Sequence, residues 1–147
     1  MEQKPEGERQ QAAGNGSQEA GNGKYRFRKG HDIAERLLDL TAAVVRLIPL
    51  LPTDVAARNA AVQLGRSISS PGANYAEARA AESRADFIHK VSIAAKEMHE
   101  ASYWLALVHR AGWLDKDLSP LVQEAEELTA ILAASARTAR ARSRRRR

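Results

Sequence analysis

Between residues 30 and 140 the apolar positions recur at spacings of three and four, the period of a helix face turned toward a core. Ile33, Leu37, Leu40, Val44 and Leu47 form the first stripe. Asp32, with Glu35 three residues on, resembles a capping box, and Pro49 and Pro52 stop the segment. Thr53 and Asp54 then offer N-cap side chains to a second helix through Ala57, Ala61, Leu64 and Ile68. Ser69-Ser70-Pro71-Gly72 interrupts it, since Pro71 lacks a backbone donor and crowds the preceding turn. Helix is expected to resume over 73–81. The third stripe is the most regular: Phe87, Val91, Ala94, Met98, Ala101, Leu105 and Val108. Ser83 to Asp86 caps its start, and Gly112 stands where a left-handed C′ residue belongs, with Trp113 ready to pack back onto Val108. Ser119 as N-cap and Pro120 behind it open a fourth helix along Leu121, Ala125, Leu128, Leu132 and Ser135.

These segments predict helices near 31–49, 53–81, 83–112 and 118–140, with a break at 69–72. Four amphipathic helices with short connections pack best as an all-α, antiparallel up-down four-helix bundle with a kinked second helix. Composition agrees. Of 147 residues, 28 are Ala and only 36 are larger apolar residues, so helix is favoured and an all-β fold disfavoured. No run of 18 apolar residues exists to span a membrane, and Met1–Gly23 lacks the apolar stretch of a secretory signal. The chain has no Cys, which removes disulfides, thiolate metal sites and a cysteine nucleophile and fits a cytoplasmic setting.

Charge divides the chain into three parts. Residues 1–29 read as a disordered N-terminal arm, net −2 over 1–23, that ends in a basic segment of +4. The bundle, 30–136, is net −4. Residues 137–147 form an Arg-rich tail of +7, into which the fourth helix can continue and of which 142–147 is expected to fray by self-repulsion. The two basic ends are the strongest functional signal. Lys24, Arg26, Arg28 and Lys29 interleave with Tyr25 and Phe27, which suits phosphate neutralisation plus stacking on single-stranded nucleic acid. Arg137, Arg140, Arg142, Arg144, Arg145, Arg146 and Arg147 suit forked contacts to phosphate. A solubilising role for these ends is the competing reading.

The third helix carries a second apolar face. Ile93, Trp104 and Leu107 lie well over 90° from the main stripe, with Tyr103 beside them. Either this helix is central and covered on two sides within one subunit, or the face is an oligomer interface.

Signals for enzyme chemistry are weak. Of His31, His89, His99 and His109, only His89 has a carboxylate three residues before it, Asp86, so no di-iron pattern arises and no metal site is expected. Glu97, Glu100, Glu124, Glu126 and Glu127 read as solvated partners of Arg or Lys. Gly65 to Gly72 contains no Gly-Lys-Ser/Thr, so it is no phosphate loop, and no Gly-x-Ser-x-Gly occurs. No cofactor is expected.

The segment from Gln63 to Ala78 (QLGRSISSPGANYAEA), together with Ser83 to Lys90, Ile93 to Glu97, Tyr103-Trp104-Leu105 and Gly112-Trp113-Leu114, resembles the four-helix-bundle family named for intervening sequences in 23S ribosomal RNA genes. It departs at Pro71, where members usually carry Val or Ile. The resemblance implies a bundle assembling as a homopentamer, and it implies no enzymatic activity. A related branch serves the reverse transcriptase of diversity-generating retroelements through a basic surface, unlike the acidic body here. Two functions are therefore expected: a homo-oligomeric scaffold touching RNA or DNA through its basic ends, or a structural module that binds another protein.

Overall fold

The computed structural model describes residues 32–145. Four helices account for most of them: α1, Ile33–Leu47; α2, Val55–Arg79; α3, Arg84–Ala111; and α4, Ser119–Arg144. A 3-10 turn, Ile48–Leu50, leads out of α1, and there is no strand among the described residues. The helix α3 is packed along α2 on one side and α4 on the other, while the shorter α1 lies against α2 and α4. The all-α, four-helix expectation holds.

The stripes became the core. Leu37, Leu40, Val44 and Leu47 of α1 meet Leu64 and Ile68 of α2, Val91, Met98, Leu105 and Val108 of α3, and Leu121, Leu128 and Leu132 of α4. Phe87, the first residue of the α3 stripe, is only half-buried. At 28 residues and about 1.5 Å per residue, α3 is about 42 Å long.

Several local expectations need correction. The second helix does not break at 69–72. It runs without interruption from Val55 to Arg79 with Pro71 buried inside it. Side chains bind the carbonyls around the missing donor: Ser67 Oγ donates to the Gln63 carbonyl at 2.8 Å, Ser69 Oγ to Gly65 at 2.7 Å, and Asn74 Nδ2 to Ser70 at 3.0 Å. From α1, Thr41 Oγ1 reaches the Ile68 carbonyl at 3.1 Å. Burial of the pyrrolidine ring adds apolar contact, which offsets the ladder bond lost at the Ser67 carbonyl.

The caps also differ. Asp32 makes no side-chain cap on α1; its carboxylate instead accepts from Arg79 at 2.8 Å and ties the start of α1 to the end of α2. The helix α4 starts one residue earlier than expected, with Leu118 as N-cap, because Asp117 Oδ1 takes the Ser119 amide at 2.9 Å. The other signals stand: Asp54 Oδ1 accepts from the amides of Ala56 and Ala57, Ser83 Oγ accepts from that of Asp86, and Gly112 adopts φ 64°, a conformation glycine takes without a Cβ clash.

Candidate functional site

The basic C-terminal segment is helical as far as Arg144. Arg137, Arg140, Arg142, Arg144 and Arg145 are all exposed. Stepping 100° per residue from the buried Ala136 and Leu132, they spread over about 200° of the circumference of α4, from Arg140 beside the buried face round to Arg142 on the other flank. Arg140 leans onto α3, where its guanidinium donates to Ser92 Oγ at 2.8 Å. Arg142 leans the other way, over a groove that Phe87 and Ala139 also line. Cations in the last turn also suit the negative end of the helix dipole. The end of the bundle thus presents an arc of guanidinium groups, and the helix passes its expected end at 140 and reaches Arg144, within the stretch expected to fray.

Two ion pairs also lie at this end. Arg79 holds Asp32, and Lys90 holds Glu77, a hydrogen bond that raises the Lys90 pKa above the ordinary lysine value. Lys24, Tyr25, Arg26, Phe27, Arg28, Lys29, Arg146 and Arg147 lie outside the described residues, as does His31.

The proposed interface face of α3 lies between the two alternatives. Ile93, Trp104 and Leu107 are half-buried, and Tyr103 is 62% exposed. Trp104 packs its ring partly on the core, meets Tyr103 edge-on at 5.2 Å between centroids, and donates its indole N–H to Glu100 at 3.3 Å. This face is covered by neither α2 nor α4 completely.

One site residue was missed. Glu124, expected to be solvated, is buried. Its carboxylate accepts two hydrogen bonds from Arg36, Nε to Oε1 at 2.7 Å and a terminal guanidinium nitrogen to Oε2 at 2.9 Å. Glu127 adds a longer contact at 3.2 Å. The signal was present: Glu124 lies three residues after Leu121 and four before Leu128, on the apolar stripe itself.

The fold places Ser119 Oγ 3.3 Å from His109 Nε2 where α3 turns into α4. Ser119 is exposed, and the Asp117 carboxylate accepts from its backbone amide. Among the described residues, no three of His, Asp and Glu gather as a metal site would require, and no helix is long and apolar enough to cross a membrane.

A family model described as "23S rRNA-intervening sequence protein" matches residues 29–134. The crystal structure of a Bacteroides thetaiotaomicron protein of unknown function, from the S23 ribosomal protein family, is similar at TM-score 0.63 and 31% identity. The match covers 71% of this chain and 98% of that one. No curated protein matches the chain.

Proposed function

This chain belongs to the 23S rRNA-intervening sequence protein family, and from that premise we propose that it is a non-enzymatic, homo-oligomeric, cytoplasmic scaffold that contacts single-stranded nucleic acid through its basic ends. The observation that carries this reading is the arc of five exposed arginines on α4. The rest of the bundle carries more acid than base, so it offers phosphate little attraction. Guanidinium groups meet phosphate oxygens two at a time, and several fixed along one helix track a backbone better than a free coil would.

The test is fluorescence anisotropy with labelled single-stranded RNA across a salt series. Each phosphate contact on a single strand contributes about −0.7 to the slope of log affinity against log salt. Replacing Arg137, Arg140, Arg142, Arg144 and Arg145 with Gln should therefore flatten the slope by about 3 to 4 if all five engage. Substituting Tyr25 and Phe27 with Ala should weaken binding at every salt concentration and leave the slope unchanged, since stacking carries no charge. Undiminished affinity after the five substitutions would reject the reading and favour a module that binds protein.

Oligomerisation, five subunits by family resemblance, is supported by the incompletely covered face of α3. Tyr103→Glu and Trp104→Glu place a charge on that face. Tyr103 is exposed enough that its replacement leaves the monomer fold intact. Both variants should lower the mass seen by light scattering while circular dichroism stays helical. An unchanged mass for Tyr103→Glu would remove this face from the interface.

A further inference from the structure

Two hollows of about 460 and 450 Å³ open side by side where the α2–α3 connection meets α4. Phe87, Ala139 and Arg142 line both, so the hollows meet over the Phe87 side chain. Each is of the size that small-molecule sites occupy. One side is rimmed by the guanidinium groups of Arg79, Arg84 and Arg142. The other is walled by Ile131 and Ala134 and carries the hydroxyls of Ser135 and Thr138.

The charges on this rim are unequally committed. Arg79 is held by Asp32, but neither Arg84 nor Arg142 has an ion pair among the described residues. Glu82 is the carboxylate on the lining, and it is exposed. The junction combines a half-buried aromatic side chain with two arginines that carry no ion pair among the described residues. It suits a ligand with a flat apolar face and an attached dianion.

We propose that this groove seats one phosphorylated nucleoside unit, with the base against Phe87 and the phosphate held by Arg84 and Arg142. Stacking on an aromatic ring tolerates any base, and Arg recognises phosphate with two parallel N–H donors. The Thr138 hydroxyl is on the side where ribose or base edges need partners, and Ser135 Oγ, which donates to the Ile131 carbonyl at 2.9 Å, can still accept there. A purely aliphatic anion would leave the Thr138 hydroxyl unused. The proposal rests on the nucleic-acid reading above and assigns it a position for one base, whether from a free nucleotide or from the end of an RNA strand.

The test uses 2-aminopurine, whose fluorescence falls when the base stacks. The full-length protein is titrated into a 5′-phosphorylated RNA octamer carrying 2-aminopurine first, and separately into 2-aminopurine riboside 5′-monophosphate. Quenching of the octamer alone assigns the groove to strand ends; quenching of the monophosphate also assigns it to free nucleotides. Phe87→Leu keeps an apolar side chain but loses the ring, and Ala139→Leu fills the groove from α4 and keeps the Phe87 ring. Each should weaken the quenched complex by about tenfold and leave the salt slope unchanged. Arg84→Gln should flatten that slope by about 0.7, one phosphate contact. Thermal melts followed by circular dichroism establish that each variant is folded. Octamer binding by anisotropy without quenching, or with quenching unaltered in both Phe87→Leu and Ala139→Leu, overturns the groove and spares the arginine arc. Quenching of the monophosphate without octamer binding spares the groove and rejects the arc as a strand-binding surface. Binding of neither probe rejects both.

Discussion

Replacing Arg36 with Met should destabilise the bundle by about 3–5 kcal/mol, because it strands a buried carboxylate. The Glu124 side chain is 5% exposed and that of Arg36 13%, and the two meet fork to fork at 2.7 and 2.9 Å. The hydrogen bond Arg36 donates to Glu124 holds the Arg36 pKa above even the ordinary arginine value, against the opposing effect of burial, and the charges of Glu124 and Glu127 act in the same direction. For a base whose folded value is raised, the added stability is present at every pH below the unfolded value and is lost only as pH rises through the folded one. That window lies far above neutrality, so the arginine side of this pair contributes no pH dependence near neutral pH. Exposed Glu127 is no substitute for a buried cation, and it worsens the repulsion once Arg36 is gone. The double variant Arg36→Met with Glu124→Leu should recover most of the loss or exceed the parent, since an apolar pair avoids desolvating two charges. Urea melts of the parent, both single variants and the double variant at one protein concentration close the cycle. A cost below about 1 kcal/mol for Arg36→Met would mean that the pair behaves as a surface salt bridge.

This clamp marks the boundary of what the sequence discloses. Each helix was legible because its stripe is long: Val91, Met98, Leu105 and Val108 all became core. Arg36 and Glu124 sit on those same stripes, Arg36 three residues after Ile33 and four before Leu40. Taken singly, each reads as a charge on a polar face. Their partnership is a fact of α1 lying against α4, 88 residues apart in the chain, and no local pattern reports it. Pro71 fails as a signal for a related reason. The expected break depends on the lost donor alone, whereas the outcome depends on how the buried Pro71 ring packs in the assembled bundle. The arginine arc was visible as composition, but not as a surface, because self-repulsion predicted fraying from Arg142 onward whereas α4 continues to Arg144. The groove at Phe87 was invisible. It forms only where a hairpin connection, 80–83, meets the far end of α4.

The deepest truncation should be Leu105→Ala. Leu105 is fully buried on α3, the helix packed between α2 and α4, so surrounding side chains can collapse only partly into the space left. The loss combines the transfer free energy of the removed atoms with the residual cavity, for about 3 kcal/mol. At roughly 4 °C per kcal/mol for a domain of this size, the melting temperature should fall by about 12 °C. Leu38→Ala makes the same chemical change on the outer face of α1, where the side chain is 62% exposed. Within one subunit that variant should cost under about 0.5 kcal/mol, as surface substitutions do. The comparison therefore separates subunit stability from assembly. Leu105→Ala should destabilise by the same amount at all protein concentrations, since its cavity lies inside one bundle. Leu38→Ala should be silent at dilution. A penalty for Leu38→Ala that grows with concentration would place the outer face of α1, together with its neighbour Val45, in a subunit contact. A cost near zero for Leu105→Ala would mean that the centre of the bundle is loosely packed and that the regular stripe of α3 overstates its order.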